Sequence, residues 1–335
     1  YKLLLTGILQ HIALQATDEQ YVHWHNHGIM VDLSLLKTLD TFTEFLYRNE
    51  IQRLASERIT KQFVYSFSSE GVHKEHSPCY HYYVTAMLLD VLKLLIRSEV
   101  GIPHSLTGIA SKTADFITYI LKPDGTLPNF GDCSEGETIY SLEALYPEYI
   151  LEHSKLKYII TKGSDGTKPE QLIKIFPNSG YAIFRNNWDI ETDNSVYAAI
   201  RSDFNSFAHY QRDETSFILY AFGHTLIIDP GLHTYNSREL DRYTRSAFAH
   251  NLLIVNDLDF PLTLENVGFS GISRYTLNDN KLNGWKGIVE FTHPHYKNIG
   301  VKYYRQFGQI NDSAFIIRDI VESSKINKYT RLFHF

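Results

Sequence analysis

Lys162-Gly163-Ser164-Asp165-Gly166-Thr167-Lys168-Pro169-Glu170 separates two halves of different periodicity. The stretch is polar and rich in turn formers, as a linker is. Before it, apolar residues recur at helical spacing. Leu3, Leu4, Ile8 and Ile12 form one stripe, Leu33, Leu36, Leu39 and Phe42 to Leu46 a second, and Val84, Met87, Leu88, Val91, Leu94 and Leu95 a third. Leu106 to Leu121 makes a fourth and Thr138 to Ile150 a shorter fifth. Turn chemistry lies between them, at Ser77-Pro78, Pro123-Asp124-Gly125 and Asn129 to Gly136. Helices in series with no strand between them predict an α-hairpin array or a toroid.

After the linker the runs are short and β-like: Tyr181 to Phe184, Val196 to Ile200, Phe217 to Tyr220, Leu226 to Ile228 and Leu252 to Val255. Ile288 to Phe291, Lys302 to Phe307 and Ala314 to Ile320 continue the series. Recurrent turn signals predict an antiparallel sandwich. The expected organisation is a helical domain over residues 1–162, a linker over 163–176 and a β-domain over 177–335. Tyr1 to Gln15 reads as the middle of a helix and Arg331 to Phe335 as an unfinished strand, so both domains are expected to be cut at their outer ends.

A chain of 335 residues is long enough for two such domains. The 23 Tyr and 20 Phe suit either carbohydrate stacking or a β-rich core, and 16 His make a site built on imidazole feasible without locating it. A net charge of −6 with no Lys/Arg block argues against nucleic acid as partner. A polyanion stays compatible, because a local cationic cleft can sit on an acidic protein. Cys79 and Cys133 do not make a disulfide scaffold, and without a Cys-x-x-Cys pair no cysteine zinc site is expected. No apolar run reads as long enough to span a bilayer.

Three clusters carry chemistry. His23-Trp24-His25-Asn26-His27-Gly28 precedes a helix, and His23 with His27 would form an i,i+4 metal pair if helical; the alternative is a polar helix entry. Glu75-His76-Ser77-Pro78-Cys79-Tyr80-His81 leads into an apolar helix with Pro at its first position. Tyr80, His81 and Glu75 would crowd that N-terminus, where the helix dipole stabilises an anion, or the aromatics simply close the helix end. The third cluster runs from His209-Tyr210-Gln211-Arg212-Asp213 through Asp229-Pro230-Gly231 to Arg245-Ser246 and His250-Asn251. Asp229 there either caps a turn or, with His250 and a nearby His or Gln, holds a divalent cation.

The string from His209 to Gly223, followed by Asp229-Pro230-Gly231, Arg245-Ser246 and His250-Asn251, resembles the β-domain signature of the heparinase II/III family. His25-Asn26-His27-Gly28, Glu75-His76-Ser77-Pro78 with Tyr80-His81, and Pro123 to Pro128 with Gly131-Asp132 occur in the order of that family's helical half. The resemblance runs from about Val22 to the end of the chain and rests on the joint order of the motifs. It implies an incomplete α/α toroid followed by an antiparallel β-sandwich, and β-elimination at uronic acid residues of an acidic polysaccharide. Asn26 matches the residue that neutralises the uronate carboxylate, Tyr80 the catalytic Tyr and His209 the catalytic His. His27, Glu75, His81 and Arg245 are expected at the substrate. Asp229 and His250 match two ligands of a zinc or calcium ion, and no organic cofactor is expected. The family often carries His-x-His-x-Asp where this chain has His209 to Asp213, so Gln211 stands at a metal ligand and Arg212 is left to bridge Asp229 or a substrate anion. Gln is a poor zinc ligand. A periplasmic or secreted location follows from the resemblance.

The chemistry explains the residue types. Elimination removes the proton at C5 of a uronate, so donors such as Asn26 and His27 must compensate charge added to an already negative carboxylate. One Tyr can be base and acid in turn when C5–H and O4 share a face; otherwise His209 is base and Tyr80 acid. Arg201, Arg242 and Arg245 are candidate clamps. A glycoside hydrolase on a similar toroid would need two carboxylates, for which Asp124, Asp132 and Glu135 are the candidates. An inactive glycan-binding homologue is the third reading; Gln211 supports it, while Asn26, Tyr80 and His209 together oppose it.

Overall fold

In a computed structural model of the chain, all residues are described except 1, 20, 99–100, 140–141, 143–145, 190–192, 262 and 278–285. The chain forms two compact units, one of residues 1–72 and 82–113 and the other of residues 73–81 and 114–335. The second unit thus recruits a nine-residue segment and the end of a helix from the half read as helical.

The first unit contains α1 (Lys2–Gln15), α2 (Asn26–Thr41), α3 (Arg48–Ser66), most of α4 (Pro78–Arg97) and the start of α5 (His104–Ile120). α2 ends at Thr41, so the apolar run Phe42 to Leu46 is not helical; it lies in the turn before α3. α3 had no stripe to announce it, because its buried positions include Gln52, Ser56, Arg58 and Gln62. Arg58 donates from Nε to Asp32 at 3.0 Å, and the Tyr21 hydroxyl donates to the same carboxylate at 2.6 Å. Buried, Asp32 has a raised pKa, opposed by the hydrogen bonds from Tyr21 and Arg58. By length and composition α4 could cross a bilayer, contrary to the sequence expectation. Val84, Leu88, Val91 and Leu95 are nevertheless buried inside the unit, and its Asp90 pairs with Lys37 at 2.6 Å.

The second unit carries α6 (Pro147–Glu152), α7 (Ser154–Ile160) and α8 (Arg238–Thr244) beside its strands. The stripe from Thr138 to Ile150 falls partly outside the described residues. β1 (Ile173–Phe176), β2 (Tyr181–Arg185), β3 (Tyr197–Arg201), β4 (Phe217–Ala221) and β5 (His224–Ile227) form an antiparallel meander in that order. β1 lies inside the segment 163–176 read as linker. β7 (Gly271–Leu277), β8 (Gly287–His293), β9 (Val301–Gln309) and β10 (Phe315–Ser323) form a second antiparallel sheet, and β6 (Leu253–Val255) pairs with β11 (Tyr329–Arg331). Ala182, Phe184, Ala198, Ile200 and Phe217 of the first sheet pack with Val289, Phe291 and Phe307 of the second in one apolar cluster. The alternation that reads as β-strand therefore has its physical cause: each sheet turns one face to a shared core.

Cys79 and Cys133 form a disulfide closing a separation of 54 residues. It does not define a disulfide-rich scaffold, but it is a covalent tie that spacing alone did not announce, and a loop of that length contributes about 4 kcal/mol.

Candidate active site

Pro78 opens α4, and the Ser77 hydroxyl accepts from the Tyr80 amide at 3.4 Å. This cap sets Tyr80 in the first helical turn. His209 sits on a loop between β3 and β4 with left-handed backbone, φ 52°. His76 anchors that loop: its ring meets the Ala208 carbonyl at 3.3 Å, and its Nε2 accepts from the Asn205 amide at 3.0 Å. Burial, with Arg201 nearby, drives His76 well below the usual imidazole range, so it serves as a neutral bridge.

The loops bring the two rings together. Tyr80 and His209 stack with centroids 3.5 Å apart and planes 23° from parallel. Asp132 organises the cluster. Its Oδ2 takes His209 Nδ1 at 3.0 Å, the Tyr235 hydroxyl at 2.8 Å and Arg245 Nη2 at 2.8 Å; its Oδ1 takes Gln211 Nε2 at 3.1 Å. Burial alone would raise Asp132, but hydrogen bonds from His209 and Arg245 outweigh it and hold the carboxyl well below the usual range. A carboxylate on Nδ1 fixes the tautomer, with the proton on Nδ1 and the lone pair on Nε2. Glu75 Oε2 lies 3.5 Å from that Nε2; burial pushes the Glu75 pKa up, against the pull of His209. The Tyr235 hydroxyl also lies 3.3 Å from that of Tyr80 and 3.4 Å from His209 Nδ1.

Two glycines allow this crowding. Gly131 (φ 57°) would place a Cβ 2.8 Å from the His76 carbonyl and 3.2 Å from that of His209. Gly231 (φ 56°) would place one 2.2 Å from the Cys133 carbonyl. Both positions need left-handed backbone and no side chain.

Several expectations shift. His81 does not face a substrate: it is buried, its Nδ1 accepts from the His73 amide at 3.1 Å and its ring packs on Phe116. Arg245 donates to Asp132, to Asp241 at 2.8 Å and to the Tyr210 carbonyl at 3.0 Å, so it ties the cluster together while part of its side chain stays exposed. Arg201 is fully buried on Asp213 and cannot clamp a polymer. Arg212 reaches the Phe260 carbonyl at 2.7 Å and Asp259 at 3.4 Å, not Asp229. His23 precedes α2, so His23 and His27 are not a helical pair; His25 caps the helix by accepting from the His27 amide at 3.2 Å. Asn26 opens α2 in the first unit, buried, with Oδ1 lacking a hydrogen-bond partner among the described residues; His27 is exposed there. Tyr235 has no local pattern to mark it, and the sequence marks Asp132 as part of the Gly131-Asp132 motif and as a hydrolase carboxylate, not as the partner of His209.

Asp229 and His250 meet, Oδ2 to Nδ1, at 2.9 Å. The Ser216 hydroxyl donates to the same oxygen at 2.8 Å and the Gly231 amide to Oδ1 at 3.3 Å. Burial would lower His250, but the charge and hydrogen bond of Asp229 outweigh it and raise its pKa. Gln211 Oε1 and His250 Nε2 are buried without hydrogen-bond partners among the described residues. The donor set nevertheless does not fit the expected ion. Asp229 orients the His250 ring instead of sharing a ligand shell with it, and Gln211 turns its amide nitrogen to the Gly131 carbonyl at 2.9 Å and the Gly231 carbonyl at 3.1 Å. Among the described residues no group of three or more His, Cys, Asp and Glu converges as a zinc site requires, and two side-chain donors fall far short of a calcium shell.

A carboxylate-oriented imidazole stacked on a tyrosine has the groups that proton transfer needs, and Tyr80, Asp132 and His209 lie on the motifs that carried the family resemblance. The Heparinase II/III N-terminus family model matches residues 4–158, and the Heparinase II/III-like C-terminal model matches residues 168–335. The chain belongs to the heparinase II/III family. It is 26% identical over 235 residues to a heparin-sulfate lyase of Bacteroides thetaiotaomicron, covering 62% of this chain and 33% of the relative. It is 23% identical over 260 residues to a heparin-sulfate lyase of Pedobacter heparinus, covering 75% and 37%. A crystal structure of heparinase III superposes with a TM-score of 0.81 at 21% identity, over 96% of this chain and 50% of that one. Heparan sulfate lyase HepC from Pedobacter heparinus gives 0.77 at 20%, over 96% and 49%. The chain thus spans about a third of the curated relatives and half of the solved structures, and at these identities the structural likeness establishes the fold alone.

Proposed function

We propose that this chain carries the catalytic machinery of a polysaccharide lyase that cleaves uronic-acid-containing acidic polysaccharide by β-elimination, on an incomplete α/α toroid followed by a β-sandwich, with a join that ends where β1 begins at Ile173. The observation that carries the reading is the stack of Tyr80 on a His209 whose tautomer Asp132 fixes. The relatives' names make heparan-type polymers the first substrate class to test. The disulfide supports an exported, periplasmic or secreted, protein, since such bonds persist in oxidising compartments.

In this mechanism C5–H is deprotonated, electrons flow into the carboxylate, the C4–O4 bond breaks and a C4=C5 double bond forms while O4 is protonated. Asn26 and His27 are assigned to the carboxylate, where donors offset the added charge without being consumed. Rings 3.5 Å apart leave no room for a pyranose between them, which favours attack from one side of the sugar. Tyr80 then takes the C5 proton and returns it to O4, with the His209 imidazole stacked on its ring as proton partner. Tyr235 receives the Tyr80 hydrogen bond and passes its own to Asp132, so charge moving on and off Tyr80 is felt by a fixed anion.

The hydrolase reading weakens on the same geometry. Asp132 is held ionised by its donors, Asp124 caps its own turn by accepting from the Thr126 amide at 2.9 Å, and Glu135 is exposed. The test is a screen of uronate polymers followed by ultraviolet absorbance and reducing-end assay. Conjugated unsaturated products are expected. New reducing ends without absorbance would replace the lyase by a hydrolase, and binding without cleavage would leave a glycan-binding homologue.

A further inference from the structure

Each cysteine adjoins a residue of the Tyr80–Asp132 cluster. Cys79 precedes Tyr80 in the first turn of α4, and Cys133 follows Asp132. Their bond brings the two backbones to a Cα separation of 5.1 Å. The Cys133 carbonyl also accepts from the Leu232 amide at 3.0 Å, tying the same point to the turn after Asp229. Cys133 is fully buried and Cys79 partly exposed. Across this gap the non-covalent links include the ring stack, a 3.3 Å contact between two phenols, Glu75 on His209 at 3.5 Å and the bonds of His76 to the loop at Asn205 and Ala208, each weak beside a covalent bond. Proton transfer is steep in distance, so a slackened gap costs rate even in a folded protein.

We propose that the Cys79–Cys133 disulfide is a positioning element that holds Tyr80 in register with the Asp132–His209 pair, so that two-electron reduction lowers turnover while the chain stays folded. The inference rests on the reading of Tyr80 and His209 as the proton-transfer pair. A dithiol such as dithiothreitol supplies two electrons and two protons: the S–S bond breaks, Cys79 and Cys133 become thiols, and the reagent closes to its own disulfide. Cys79, as the partly exposed member, is the point of attack.

The test compares the oxidised full chain, the same chain reduced with dithiothreitol, and the double variant Cys79→Ser/Cys133→Ser, all below their melting temperatures. kcat is expected to fall by at least about tenfold in the reduced chain and the variant with KM nearly unchanged, as lost alignment predicts. Reoxidation should restore the wild type, and dithiothreitol should leave the variant unmoved. A variant that melts earlier but turns over within about twofold of wild type would overturn the proposal, since the bond would then serve stability alone. Backbone hydrogen exchange gives a readout independent of activity and of the variant's folding. On reduction, protection should drop at residues 76–81 and 129–135; unchanged exchange, or a loss spread over the whole chain, refutes the proposal. If the oxidised protein eliminates no uronate polymer, the lyase reading fails by itself and the exchange result still decides the role of the bond.

Discussion

Asp132–His209 and Asp229–His250 are chemically the same pair, a carboxylate oxygen on Nδ1 at 3.0 and 2.9 Å. They differ in what surrounds them. Asp229 and His250 expose no side-chain area, whereas His209 keeps 15%. The buried pair joins the start of β6 to the turn after β5, with Ser216 completing the bond. The accessible pair has Tyr80 stacked on it and Glu75 beyond Nε2. Pairing orients an imidazole in both places; of the two, only His209 adds access and a second proton-bearing group, which is what the proposed reaction needs.

Removing each histidine is the strongest way to break this contrast. His209→Ala should lower kcat by a factor of about a thousand, within the range of general acid–base catalysis, with a smaller loss of stability than His250→Ala because Arg245, Tyr235 and Gln211 still hold Asp132. His250→Ala should do the reverse: it leaves a buried carboxylate without the imidazole that pairs with it and costs roughly 3–5 kcal/mol of stability, while the folded fraction keeps most of its turnover. Denaturant melts beside steady-state kinetics read both. A catalytic defect in folded His250→Ala as deep as that of His209→Ala would erase the distinction.

Tyr80→Phe keeps the ring and its stacking, so folding should be unaffected, and kcat should fall by at least about a hundredfold with substrate affinity retained. A variant keeping more than about half its activity would remove Tyr80 from proton transfer. Asp132→Asn ranks next. It preserves shape but lets the wrong tautomer of His209 form and weakens the hold of Arg245, so a loss of about ten- to a hundredfold in kcat is expected. Equal rates in the variant and wild type would mean that Asp132 orders the loop without governing His209.

How much of this was readable from residues alone depends on the kind of signal. β2, β3, β4, β8 and β9 announced themselves because their inner faces are uniformly apolar. α3 did not, since Gln52, Ser56, Arg58 and Gln62 replace the apolar stripe by a polar network. β7 was silent for the opposite reason: it is mostly exposed. At the site, Tyr80 and His209 stood out through the order of motifs. Asp132 lay in a Pro/Gly loop that turn geometry already explained, and Tyr235 and the Cys79–Cys133 bond depend on loop closures that no local pattern encodes. His81 shows the limit of placing a residue at a helix start: position along the chain says nothing about which side of the helix it takes.

The two pairs should also separate by pH, with stability changing by about 1.4 kcal/mol for each tenfold change in a group's proton affinity on folding. Asp132 is depressed in the folded state, so its contribution is present above the ordinary carboxylate value of about 4 and is lost as pH falls from there toward its folded value. His250 is raised, so its contribution is complete below about pH 6.5 and is lost as pH rises through its folded value. Chemical denaturation across pH should therefore lose part of its acid limb in Asp132→Asn and part of its alkaline limb in His250→Gln. Interchanged limbs would contradict the assignment of charge in the two pairs.

The smallest expected effect belongs to Tyr235. Its hydroxyl donates to Asp132 and receives Tyr80, so it is wired into the cluster, but its burial and the neighbouring Asp132 charge push its pKa up and keep it protonated. A phenol held so firmly as a donor is poorly suited to give its proton to a leaving oxygen, and half of its ring is exposed. Tyr235→Phe removes one of several donors to Asp132 and leaves His209, Arg245 and Gln211 in place. The rate should fall by only about threefold, because the three remaining donors keep the Asp132 carboxylate oriented, and the melting temperature should drop only slightly. A loss as large as that of Tyr80→Phe would mean that Tyr235 is itself the group that moves the proton, with Tyr80 serving it. Comparing the two single variants with the double variant settles the order, because two links of one relay lose less together than the product of their separate losses.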